Sequence, residues 1–144
     1  MNRRNFIKFT SYLGLSSLGG IYLSNFSLAD DNYSFLLNSE LAGKVFYTEK
    51  YPGRWSKKIK GHIPTFERKN NIVEISTGHE MNGYEHYIIK HMIFDNKFNL
   101  KNEIMFDPMN DSPISKIKIS NLKDKIYALS LCNKHDAWIS SFDI

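Results

Sequence analysis

A period of two runs through the second half of this sequence. Ile114-Ser115-Lys116-Ile117-Lys118-Ile119-Ser120 is its cleanest instance, and Lys125 to Leu131 repeats it. Side chains of an extended strand alternate faces, so such runs bury one face and wet the other. Asn71-Ile72-Val73-Glu74-Ile75-Ser76 alternates as well, and Tyr84 to Phe94 is rich in strand-forming residues. Asn99 to Phe106 alternates loosely, Ala137 to Phe142 closes the series, and Val45-Phe46-Tyr47-Thr48 adds a short candidate. Turn residues separate these runs at Tyr51-Pro52-Gly53-Arg54-Trp55, Asp95-Asn96-Lys97 and Asp107-Pro108. No helical period emerges, and no internal repeat. About seven short strands with turns between them predict an all-β chain, an Ig-like antiparallel β-sandwich. Asp30 to Lys44 carries no period, and Ser56 to Gly61 reads as a basic loop leading into His62-Ile63-Pro64.

The first residues follow a different logic. Arg3-Arg4-Asn5-Phe6-Ile7-Lys8 precedes a moderately apolar stretch from Phe9 to about Phe26. Ser27-Leu28-Ala29 then offers a small-x-small cleavage site before Asp30-Asp31. This is the pattern of a secretory signal, and the paired arginines resemble a twin-arginine export signal. Residues 1–29 are therefore expected to be the signal, residues 30–144 the mature domain, and the periplasm its destination, with the membrane met only during export. A retained N-terminal anchor is the alternative, at the short limit for a span.

Removing residues 1–29 takes away Arg3, Arg4 and Lys8 and no acid, so the net charge falls from +4 to +1. The remaining lysines are scattered, with no basic stripe interleaved with stacking aromatics, which argues against a nucleic-acid partner. One cysteine, Cys132, cannot form an internal disulfide. In an exported protein it is a free thiol, an intermolecular partner, a metal ligand or a buried structural residue.

Cys132-Asn133-Lys134-His135 follows an apolar alternating run, so a thiol and an imidazole stand at the turn ending a strand. Further histidines are at 62, 79, 86 and 91. His79 and His86 flank a polar, glycine-containing stretch, and His62 lies in a Gly-His-Ile-Pro turn. Converging at one end of a sandwich, these would gather several metal ligands. His91 is set apart: in an uninterrupted strand over 85–94, its odd separation from His86 places it on the other face.

Four segments carry a resemblance: Gly61-His62-Ile63-Pro64, Gly78-His79-Glu80-Met81, Glu85-His86-Tyr87-Ile88, and Ala128-Leu129-Ser130-Leu131-Cys132-Asn133-Lys134-His135 followed by Trp138. Together they resemble the superoxide reductases, the neelaredoxin and desulfoferrodoxin family, in the one-iron form. The resemblance implies a mononuclear non-haem iron held by His62, His79, His86 and His135, with an axial Cys132 thiolate and a sixth position open to superoxide. The implied reaction is one-electron reduction of superoxide to hydrogen peroxide. The iron would be re-reduced by an outside donor, rubredoxin-like or another redox protein, and a homo-oligomer is compatible with the family. Thiolate opposite an open site pushes electron density towards bound oxygen species.

Two departures stand out. A Glu-Lys pair usually precedes the family's first histidine, and here Lys60-Gly61 stands in its place. Lys60 is the candidate catalytic residue, since its long stem and mobile charge can serve as the missing lysine; Lys57 and Lys58 are further candidates. The seven-residue separation of His79 and His86 is also one longer than usual, and Gly83 can absorb the difference. Two other readings compete. A blue-copper carrier would want an axial methionine after the second histidine, and none follows His135. A non-catalytic binding or carrier domain would hold a structural metal or none, and structural zinc takes four ligands, one fewer than the candidates here.

Overall fold

The computed structural model describes residues 35–144. The expected signal over 1–29 lies outside the described residues. Among those described, no helix is long and apolar enough to cross a membrane.

Among the described residues, eight strands form two sheets, one more strand than the alternation predicts. They are β1 (Phe46–Tyr47), β2 (Pro64–Lys69), β3 (Ile72–Thr77), β4 (Ile88–Phe94), β5 (Leu100–Met105), β6 (Ile114–Lys118), β7 (Lys125–Cys132) and β8 (Asp136–Asp143). The larger sheet runs β1-β8-β7-β4-β5 and the smaller β2-β3-β6. All pairings are antiparallel except the two-residue β1, which lies parallel to β8.

The strand missing from the sequence reading is β2. Its register places Pro64 opposite Thr77 and Lys69 opposite Ile72. It is an edge strand, mostly exposed after Pro64, so it carries no apolar alternation. Proline opens it, a position where the absent N–H costs no ladder bond. The expected basic loop is instead a 3₁₀ segment, Gly53–Lys58, running into a helical turn, Ile59–His62.

The core lies between the sheets. Val73 and Ile75 of β3 face Ile93 of β4 and Ile126 and Ala128 of β7, all but sealed from water. Phe66 of β2 stacks on Phe142 of β8 at 5.4 Å. Fully burying side chains of this kind stabilises by about 1.5–3 kcal/mol each.

Strand β4 carries a bulge. Ile88 pairs with Cys132, and Lys90 with Leu131, so two steps on β4 match one on β7. The extra residue turns both Ile88 and His91 inward. Simple alternation would have set them on opposite faces.

Candidate metal centre

Five strand ends meet at one end of the sandwich. His62 closes the helical turn before β2, and Gly78-His79 follows β3. His86 precedes β4, Cys132 ends β7, and His135 precedes β8. The ladder positions Ile88↔Cys132 and Cys132↔Asp136 bring the last three together. One ligand atom from each of His62, His79, His86, Cys132 and His135 lies within 4.8 Å of all the others.

Backbone carbonyls set the orientation of two rings. His62 Nδ1–H donates to the Lys58 carbonyl at 2.8 Å, and His79 Nδ1–H donates to the Glu80 carbonyl. Each therefore turns an unprotonated Nε2 inward. Those nitrogens meet His135 Nδ1 at 2.9 Å and His86 Nε2 at 3.0 Å, and the latter two are themselves 3.0 Å apart. Neutral imidazoles cannot satisfy all three contacts. His86 and His135 must each donate outward to a bare nitrogen, which leaves two N–H groups pointing at each other. A cation at the centre resolves this, because every inward nitrogen then presents a lone pair.

The electrostatics agree. Burial depresses the pKa of all four histidines, to about 4 for His62. Mutual repulsion adds to this for His62, His86 and His135, and the Lys58 charge adds to it for His79, His86 and His135. Neutral imidazole is the metal-binding form. Burial raises the Cys132 thiol, while the Lys134 and His135 backbone N–H groups stabilise its thiolate; Lys134 N lies 3.4 Å from Sγ. Sγ itself is 3.6 Å from His135 Nδ1 and 3.9 Å from His79 Nε2. Burial keeps such a thiol protonated until a cation displaces its proton.

A cleft of about 300 Å³ opens on the cluster, lined by Lys57, Lys58, Gly61, His62, His79 and His86 among others. Lys60 is exposed and does not line it. Asn133 fastens the ligand hairpin to the loop carrying His86: Tyr87 N–H donates to its Oδ1, and its Nδ2 donates to the Tyr84 and Glu85 carbonyls. Trp138, fully buried, donates Nε1–H to the His135 carbonyl at 2.8 Å.

His91 takes no part in the cluster. It lies sealed between the sheets, where Nε2–H donates to Thr77 Oγ1 at 2.9 Å and Nδ1 accepts from Ser115 Oγ at 2.8 Å. The bulge voids the parity reasoning that set it apart, since it faces the core beside Ile88.

A family model for desulfoferrodoxin matches residues 54–141, which contain all five ligand candidates. The chain belongs to the desulfoferrodoxin family. The sequence matches none of the curated proteins with which it was compared. Among solved structures, this desulfoferrodoxin-family chain is similar to the neelaredoxin-type superoxide reductase from Ignicoccus hospitalis. The two share 25% identity at a TM-score of 0.57, over 71% of this chain and 95% of that one. A variant of the same Ignicoccus protein gives a TM-score of 0.63 at 24% identity, covering 71% and 94%. The 1Fe superoxide reductase from Giardia intestinalis shares the fold at 20% identity and a TM-score of 0.54, over 59% of this chain and 99% of that one.

Proposed function

We propose that this protein is a superoxide reductase: one electron and two protons convert superoxide to hydrogen peroxide at a mononuclear iron. The observation that carries the reading is the convergence of four imidazole nitrogens and one thiol sulfur within 4.8 Å, beside a solvent cleft, in a chain of the desulfoferrodoxin family. His62, His79, His86, His135 and Cys132 would hold the iron, which supplies the electron and a Lewis-acidic seat for the anion. Five ligands exceed the four that a structural zinc takes.

The chain's own groups prepare the rest. The carbonyls of Lys58 and Glu80 hold two imidazoles in the ligating tautomer. Lys57 and Lys58 give the cleft a positive wall that concentrates a small anion. Lys58 is the better placed substitute for the family's lysine, because its charge is felt at His79, His86 and His135 and it lines the cleft. Lys60, the sequence candidate, would act only by swinging its side chain towards that cleft. The oxidised iron would be re-reduced by a separate redox protein.

Two wider readings accompany this one. Taking β2, β3 and β6 as strands A, B and E, and β8, β7, β4 and β5 as G, F, C and C′, the sheet orders support an Ig-like sandwich. Arg3-Arg4 and Ser27-Leu28-Ala29 support twin-arginine export with cleavage after Ala29, placing the enzyme in the periplasm and taking superoxide that arises there. Cell fractionation tests the location, with recovery in the cytoplasm refuting it; N-terminal sequencing tests the cleavage, with a chain beginning at Met1 refuting that.

The test of the centre is spectroscopic. Oxidised, iron-loaded protein is expected to show a thiolate-to-iron absorption band that shifts on adding small anions and is absent in Cys132→Ala. A type-1 copper spectrum, or stoichiometric zinc with no iron uptake, would overturn the proposal.

A further inference from the structure

We infer that Asp136 is a positioning residue of the metal centre, whose carboxylate ties the segment leading to His62 to the hairpin bearing Cys132 and His135 and holds Trp55 against His135. The inference rests on the metal-centre reading above.

The hairpin comes first. Cys132 pairs with Asp136, leaving Asn133, Lys134 and His135 at the tip between β7 and β8. Asp136 closes that tip with φ +62°, in the left-handed region. Short hairpin loops often need one residue there, and glycine meets the need at no steric cost. An aspartate accepts strain that glycine would avoid, though less than a bulky or β-branched residue would. What it provides in return is a carboxylate at a fixed place beside a ligand.

That carboxylate reaches far along the chain. Arg54 donates to Asp136 Oδ2 at 2.6 Å, and Trp55 Nε1–H donates to the same oxygen at 2.9 Å. Two consecutive residues of the Gly53–Lys58 segment thus converge on one atom. The guanidinium carbon of Arg54 also sits over the Trp55 ring, 5.0 Å from its centre. The Arg54–Asp136 ion pair is largely solvent-exposed and adds little stability. Its consequence is geometrical.

The geometry acts on two ligands. Trp55 meets the His135 ring in a T-shaped contact, with centres 4.7 Å apart and planes at 84°. His62 and His79 are oriented by carbonyls on their outer nitrogens, whereas the indole supplies His135 with an aromatic wall. The clamped segment continues directly through Lys58, whose carbonyl orients His62, to His62 itself. One carboxylate oxygen therefore couples both sides of the ligand set.

Cobalt(II) is the probe, since it occupies imidazole and thiolate sites and reports its geometry in visible absorption. Three variants are compared with the parent: Asp136→Gly, Asp136→Asn and Trp55→Leu. Asp136→Gly keeps the left-handed turn and removes both bonds. It is expected to shift the cobalt bands and to speed release to a chelator by about tenfold or more, the usual range for groups that orient ligands. Trp55→Leu leaves the Asp136–Arg54 pair intact and is expected to do the same. Asn tolerates the same φ and still accepts from Trp55, so Asp136→Asn is expected to stay within about threefold of the parent.

Parent-like spectra and release in both Asp136→Gly and Trp55→Leu would overturn the inference. So would an Asp136→Asn as fast as Asp136→Gly. Should Asp136→Gly fail to fold, Trp55→Leu alone decides. A parent protein that takes up no cobalt fails earlier, and rejects the metal centre rather than the role of Asp136.

Discussion

His91 occupies the interior of the sandwich, and there its proton is expensive. Burial pulls its pKa from 6.5 to about 4, while Thr77 and Ser115 satisfy the neutral ring. Between those two values the unfolded chain binds a proton that the native state refuses, so stability rises with pH across that window. The contribution is complete above about pH 6.5, and about 3 kcal/mol of it is gone by pH 4. Denaturant unfolding at a series of pH values measures this. His91→Gln is expected to remove the His91 share of the slope, and an unchanged slope would contradict the assignment. A second expectation at this scale concerns the lysines. Lys58→Ala should lower the rate with superoxide several-fold at low ionic strength, Lys60→Ala less, and both effects should fade as salt screens the charges. Stopped-flow rates at two salt concentrations check the order; a larger effect at Lys60 would return it to the mechanism. Which of Lys57, Lys58 and Lys60 faces the cleft was not legible in the sequence, because the 3₁₀ segment and the helical turn that set their directions read as a loop.

Among the elements, the legible strands were those with one dry face. Ile72–Thr77 and Lys125–Cys132 alternate because their inner residues pack between the sheets. Pro64–Lys69 hid because an edge strand this exposed need not alternate. In Ile114–Lys118 the alternation misled in detail: Ile114 is exposed and Ser115 turns inward, where it bonds His91. The bulge in β4 leaves no residue signature, so strand parity gave the wrong face for His91 relative to Ile88. The four histidines of the cluster and Cys132 were legible because each stands at or beside a strand end, where a side chain can leave the ladder and meet others. Asp136 was not, since its acceptor role depends on residues 81 and 82 positions away. The 3₁₀ segment also opens on a glycine whose replacement carries strain. Gly53 has φ +47°, and a Cβ there would lie 2.2 Å from the Gly43 carbonyl oxygen. Gly53→Ala is expected to cost about 1–3 kcal/mol and to weaken cobalt binding by shifting the segment that leads to His62. Equilibrium unfolding with a parallel metal titration checks both; unchanged stability would show that the Gly43–Gly53 contact is not obligatory.

At the scale of the molecule, two sheets hold the strands rigidly enough that five side chains from distant parts of the chain meet at one rim. The metal should then act as a tie across that rim. Iron or cobalt binding is expected to raise the melting temperature, and a chelator to reverse the gain, because a ligand bound only by the native state adds RT ln(1 + [L]/Kd). Calorimetry with and without chelator measures it, and a metal-independent melting temperature would contradict it. What separates a rim that reduces superoxide from one that merely stores iron is its reaction with superoxide itself. Pulse radiolysis of the iron-loaded, pre-reduced protein tests that most directly. The expected result is rapid second-order consumption of superoxide with oxidation of one iron per superoxide and formation of one hydrogen peroxide, all lost in Cys132→Ala. Superoxide that decays at its spontaneous rate while the iron stays reduced would leave the rim an iron store and rule out the reductase.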